Sequence, residues 1–155
     1  GLVTAVHAIG DRAVKQALDA IIPARSILPG HIGFRLEHVQ LIQPDDLARM
    51  AKHAICASVQ PCHMISDLGM VARFWTRQTG LLYPYGTMHK SKIRLVLGTD
   101  APIEDENHVW NIDAAVTRRS RNQGMDTPGW HVSECLTRAE AFFAATRATA
   151  LIENT

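Results

Sequence analysis

The sequence predicts an α/β fold with parallel strands. Three observations lead there. Short runs of about six mostly aliphatic residues recur four times along the chain. Segments with helical spacing of apolar residues lie between and after them. Each run also ends in a polar side chain of a type that binds metals or moves protons. Alternation of strand and helix is the pattern of a parallel sheet covered by helices.

The first run is residues 2–6, Leu2-Val3-Thr4-Ala5-Val6. A helix follows over 11–22, with Ala13, Val14, Ala17, Leu18, Ile21 and Ile22 on one face, Asp11 as N-cap and Pro23 as its stop. The second run is 34–39. After it, 44–53 opens with Pro44 and two acidic residues, which suits a helix N-terminus. The third run is 54–59, followed by a helix over 66–78 with Gly80 beyond its end. The fourth run is 93–98, followed by a shorter helix over 111–120. Gly124, Pro128 and Gly129 mark 122–136 as a loop. Thr137-Arg138-Ala139-Glu140 is a capping box, and it opens a helix running to about Ile152.

Bulk properties narrow the function classes. A chain of 155 residues fits one domain spanning 1–155. With 46% hydrophobic and 20% charged residues it carries enough apolar surface to fold, which excludes a disordered chain. No apolar run approaches the roughly 18 residues of a membrane span, and the first ten residues lack the basic start of a signal peptide. A net charge of +1 does not suggest a nucleic-acid partner. The one basic run, Arg118-Arg119-Ser120-Arg121, reads as a solvated helix end more readily than as a phosphate site. Three cysteines (Cys56, Cys62, Cys135) have no paired spacing, so a disulfide framework is not expected and a reducing, cytoplasmic setting is. A zinc knuckle built from Cys62, His63 and Cys56 lacks the paired Cys-x-x-Cys pattern.

Eight histidines stand out, at 7, 31, 38, 53, 63, 89, 108 and 131. In parallel α/β sheets, ligands gather at the carboxyl ends of the strands. His7 follows the first run and His38 ends the second. Gln60-Pro61-Cys62-His63 follows the third, and Gly98-Thr99-Asp100 follows the fourth. One such histidine is commonly a hydrogen-bonded structural residue. Four successive strands ending in His, His, Gln/His and Asp favour a shared site, and that donor set suits Zn²⁺ or a similar ion. His31 and His53 read as solvated, and His89 lies in the segment Met88-His89-Lys90-Ser91-Lys92. His108 and His131 lie in loops and either line a pocket or face water. For Trp75, Trp110 and Trp130, core, rim and substrate-stacking readings all stand.

Several segments together resemble one family. They are His7-Ala8-Ile9-Gly10-Asp11-Arg12-Ala13, Arg35-Leu36-Glu37-His38-Val39-Gln40, Ser58-Val59-Gln60-Pro61-Cys62-His63 and Gly98-Thr99-Asp100-Ala101-Pro102. Ala114-Ala115-Val116-Thr117-Arg118-Arg119 and Leu136-Thr137-Arg138-Ala139-Glu140-Ala141 join them. In order and spacing they resemble the amidohydrolase superfamily. The resemblance is to its amidohydrolase-3 branch, which includes N-substituted formamide deformylases.

The resemblance implies a partial (β/α)₈ TIM-type barrel, with the four runs as strands five to eight. It implies metal ligands at His7, His38 and Asp100, with Asp100 also catalytic as the proton-moving residue. It implies substrate contacts from Gln60 and His63. The metal would be zinc, with manganese or iron as alternatives, and the reaction hydrolysis of an amide- or formamide-type C–N bond. The family's first-strand His-x-His pair is not found, since no two histidines lie two residues apart. Its strand-four ligand and flanking β-sandwich have no counterpart either. The expectation is the C-terminal half of a barrel, against about 250 residues for a whole one. A half-barrel leaves two open edges, so a homo-oligomer or a complementing half is expected as partner. The alternative is a noncatalytic half-barrel module that folds by self-association and has lost activity and metal.

Overall fold

The structure is a computed structural model that describes residues 4–27, 33–124 and 126–153. Along the chain come β1 (Thr4–Ala8), α1 (Asp11–Ile27), β2 (Phe34–His38) and the short β3 (Leu41–Ile42). Next are α2 (Pro44–Lys52), β4 (Cys56–Val59), α3 (Pro61–Phe74) and β5 (Leu81–Leu82). Then follow α4 (Tyr85–Lys90), β6 (Leu95–Leu97) and α5 (His108–Thr117). A 3₁₀ turn at Val132–Glu134 leads to α6 (Arg138–Ala145) and α7 (Arg147–Glu153).

The α/β architecture is as expected. Strands β1, β2, β4 and β6 form one parallel sheet in that order. The register sets His7 opposite Glu37, Ala8 opposite His38, Glu37 opposite Ser58 and Val59 opposite Leu97. Strands β3 and β5 pair antiparallel as a separate two-stranded ribbon. The four aliphatic runs are these four sheet strands, with ends shifted by up to two residues; Leu2 and Val3 lie outside the described residues, as does His31. Among the described residues no helix is long and apolar enough to cross a membrane.

One face of the sheet carries the main core. Val14, Ala17, Leu18 and Ile21 recur at helical spacing, and α1 buries all four. They join Leu36, Ile55, Ala57, Val59, Leu95 and Leu97 in one cluster. Leu18 and Leu36 are fully buried, and each aliphatic side chain so removed from water contributes roughly 1.5–3 kcal/mol. Side chains alternate along a strand, so the other face holds Arg35, Glu37, Cys56 and Val96. There Arg35 pairs with Glu37 at 2.6 Å, and Ala148 of α7 packs on Cys56 and Val96.

Several boundaries differ from expectation for local reasons. Pro23 does not stop α1, which runs on to Ile27. It is exposed, so water can satisfy the carbonyl its missing N–H leaves free. Helix α3 begins at Pro61, directly after β4, because proline fits the first helical position. Helix α5 begins at His108, where the Asn107 side chain accepts from Val109 N–H and Trp110 N–H. The capping box at Thr137 and Glu140 forms as read. The helix it opens breaks at Thr146, whose hydroxyl donates back to Phe142 O at 2.7 Å.

The reading of Arg118 as part of a solvated helix end is overturned. It is 1% exposed. Its Nε donates to Trp130 O at 2.7 Å and its Nη1 to Tyr83 O at 3.0 Å. The guanidinium also lies 5.3 Å from the Tyr85 ring centre and 5.2 Å from that of Trp130. The 122–136 loop folds back over the end of α5. It comes so close that a Cβ at Gly129 would lie 2.0 Å from Thr117 O. That approach, open only to glycine, delivers the Trp130 carbonyl to Arg118. Trp130 and Trp75 pack against the core, and Trp110 lies under the Arg121 guanidinium at 4.5 Å.

Candidate metal centre

Parallel strands end together, so residues far apart in sequence meet at one sheet edge. His7 is next to last in β1, and His38 is last in β2. Gln60 follows β4, His63 sits in the first turn of α3, and Asp100 follows β6 by three residues. All five sequence-derived site residues are at the carboxyl ends of the sheet strands.

Three of them converge most closely. One donor atom from each of His38, His63 and Asp100 lies within 4.8 Å of the others. His63 Nε2 is 3.7 Å from Asp100 Oδ2. The His38 and His63 rings stack with centroids 5.7 Å apart. On its other side His38 meets the His7 ring edge-on, at 4.5 Å. His7 is exposed and falls outside the converging set. His38 and Asp100 both take positive φ, 75° and 59°. Such backbone is uncommon for non-glycine residues and clusters at functional sites.

Gln60 is 5% exposed and bonds within the site. Its Oε1 lies 2.9 Å from His38 Nδ1, and its Nε2 donates to Ser58 O at 3.5 Å. An amide oxygen only accepts, so Nδ1 of His38 carries the proton and Nε2 keeps a lone pair when the ring is neutral. Burial lowers the His38 pKa, and the nearby His7 lowers it further. The neutral, ligating form is therefore favoured.

Two buried links tie the loops together. Asn111 of α5 is fully buried. Its Oδ1 accepts from Cys62 N–H at 3.1 Å, and its Nδ2 donates to Gly98 O at 2.8 Å. Cys62 Sγ donates to Thr99 O at 3.9 Å, and burial pushes this thiol up to about 11, so it stays protonated. Neither contact was read from the sequence. The available signal was a polar residue at 111 on the helix face that also carries Ala114 and Ala115.

The donor set fits a divalent metal. Neutral imidazoles with a carboxylate suit Zn²⁺ or a similar ion. His63 Nε2 is buried and has no hydrogen-bond partner, and an unsatisfied buried nitrogen beside a carboxylate calls for a ligand. A groove of about 520 Å³ between α5 and α6, lined by Val109, Ile112, Val116 and Phe142, includes none of these residues.

Comparison with known proteins decides the family. The sequence profile described as "Amidohydrolase family" matches residues 1–154. The chain belongs to the amidohydrolase family. It is 32% identical over 151 residues to "Putative amidohydrolase YtcJ" of Bacillus subtilis, covering 97% of this chain and 28% of that protein. It is 33% identical over 123 residues to "Protein LONG AFTER FAR-RED 3" of Arabidopsis thaliana, covering 76% and 21%. Two crystal structures share its fold. Both are described as uncharacterized metal-dependent hydrolases, from Pyrococcus furiosus (TM-score 0.73, 31% identity) and Pyrococcus horikoshii (TM-score 0.76, 29% identity). They align with 98% of this chain and with 29% and 30% of their own lengths. The amidohydrolase chain thus spans less than a third of each relative it matches. Among the described residues, His38, His63 and Asp100 are its possible metal site.

Proposed function

We propose that this chain carries part of the active centre of a metal-dependent hydrolase acting on C–N bonds of amide or formamide type. The observation that carries the reading is the convergence of His38, His63 and Asp100 within 4.8 Å. His38 and Asp100 hold the ion, zinc in first place with manganese or iron as alternatives. His63 completes three protein ligands or, in its sequence-derived role, faces the substrate beside them. His7, exposed and against His38, is the fourth candidate ligand. Such an ion supplies Lewis acidity, polarising a carbonyl and acidifying water.

The remaining chemistry belongs to the chain's own residues. Asp100 is 41% exposed at its side chain, so a substrate can reach it. Its carboxylate takes a proton from the attacking water and gives it to the leaving nitrogen. Gln60 keeps the His38 proton on Nδ1 and so orients the ring, beside its sequence-derived role as a substrate contact. In the substrate-facing role, His63 beside Asp100 is the group positioned to donate to a substrate oxygen.

We further propose that β1, β2, β4 and β6 are strands five to eight of a (β/α)₈ barrel. Their parallel order, and the alignment with about 30% of each solved neighbour, support this. Among the described residues β1 and β6 have no outer neighbour. Open edges pair with further strands, from the same polypeptide or from a second copy. On its own the 155-residue chain is expected to self-associate; a monodisperse monomer in sedimentation at micromolar concentration rules that out.

Metal analysis tests the centre. Stoichiometric zinc that disappears in His38→Ala supports it. No retained metal, together with no hydrolysis of formamides or acylated amines after adding Zn²⁺ or Mn²⁺, overturns it.

A further inference from the structure

We propose that Asn111 is a positioning residue that sets the distance between His63 and Asp100. The inference rests on the candidate centre above and adds a residue that touches neither ligand nor substrate. His63 belongs to the first turn of α3, and Asp100 to the loop after β6. These two segments follow different strands and have no covalent reason to keep a fixed separation. Asn111 joins them from a third element, α5. Its acceptor oxygen takes the N–H of Cys62, the residue before His63, at 3.1 Å. Its donor nitrogen reaches the carbonyl of Gly98, two residues before Asp100, at 2.8 Å.

The pairing uses both ends of a carboxamide, and no other side chain of that size offers an acceptor and a donor in a fixed plane. The orientation of the amide is forced, because a backbone N–H only donates and a carbonyl only accepts. Cys62 N–H is also one of the first-turn donors that a helix leaves unpaired, so the bond anchors α3 by its free end. Asn111 has no exposed surface. A buried amide with both partners satisfied holds its rotamer, because leaving either end unpaired is costly. The 3.7 Å gap between His63 Nε2 and Asp100 Oδ2 is thus held by a clamp behind the site. Outer-shell partners of this kind typically change metal affinity about 10–100-fold when lost.

The test uses the full chain with Asn111→Asp, Asn111→Ala and, as a control, Met88→Ala. Met88 is fully buried and bonds neither loop. Asn111→Asp matches the native shape and keeps the acceptor for Cys62 N–H, but it faces Gly98 O with no donor. In metal-free protein, the His63 imidazole resonances and the Cys62 amide exchange rate are read by NMR. Both Asn111 variants are expected to shift the ring signals and to speed Cys62 exchange at least tenfold, while Met88→Ala lowers the melting temperature and leaves both unchanged. Added Co²⁺ then gives affinity and visible spectrum, with about tenfold weaker binding expected in the Asn111 variants. Unchanged His63 signals in Asn111→Asp overturn the positioning role, as do signals that move equally in Met88→Ala. Should Asn111→Ala not fold, Asn111→Asp alone carries the comparison. A wild-type chain that binds no Co²⁺ removes the metal reading, and the metal-free NMR still decides Asn111.

Discussion

The imidazoles of His7 and His38 meet edge-on at 4.5 Å, although the sheet register pairs His38 with Ala8 and not with His7. Strand alternation alone would send His38 to the face of Leu36 and Ala8, away from His7. The left-handed backbone at His38, φ 75°, breaks that alternation at the last residue of β2. The ring then turns between His7 and His63. A metal centre needs donors from neighbouring strands on one side, and this turn provides it.

His38 is therefore the residue whose loss should hurt metal binding most. His38→Ala is expected to abolish stoichiometric zinc, measured by elemental analysis of dialysed protein. Gln60→Ala leaves every donor in place but frees the ring, since Gln60 Oε1 is the partner of His38 Nδ1. Its zinc affinity should fall about 10–100-fold in a chelator competition. Equal retention in both variants argues against His38 as a ligand.

Asp100→Asn keeps the size of the side chain and removes its base. Hydrolysis of an acylated amine by a metal-loaded, competent assembly should drop at least about a hundredfold, the usual scale of a general base. The far-ultraviolet circular dichroism should not change. Activity within tenfold of wild type would show that the proton moves elsewhere.

The α6 capping box predicts both a stability loss and a pH dependence. Thr137→Ala is expected to cost about 1 kcal/mol in urea unfolding. The Glu140 carboxyl is held below its ordinary 4.5, first by the Thr137 backbone N–H it accepts. A depressed carboxyl pKa stabilises the fold above the unfolded value and loses that contribution as pH falls through the folded one. Stability should decline below about pH 4.5, and the decline should flatten in Glu140→Gln. Melting temperatures across that range decide it.

Arg118 is the largest departure from the sequence reading and gives the sharpest stability prediction. Arg118→Met takes the donor from Trp130 O and one of two from Tyr83 O, which still accepts from Tyr85 N–H. At about 1–3 kcal/mol for the one carbonyl left unpaired, a loss of about 1–3 kcal/mol is expected in urea unfolding. Arg118→Lys should recover little, because one ammonium cannot reach both carbonyls as the planar guanidinium does. A wild-type midpoint in either variant refutes this network.

What the amino-acid sequence determined was the order of elements and the chemistry at the strand ends. Periodicity in 11–22, proline at 44 and the Thr137–Glu140 box are local signals, and local backbone physics is enough to read them. The clustering of His7, His38, Gln60, His63 and Asp100 was legible too, because parallel strands bring their carboxyl ends to one side. Tertiary structure decided the rest. Which donors converge depends on the positive φ at His38 and Asp100 and on Asn111 reaching across from α5. The fate of Arg118 depends on a loop that returns through Gly129 to cover it. Both are contacts between residues 12 or more positions apart, where no local pattern marks the partner, and only packing brings a donor to its acceptor.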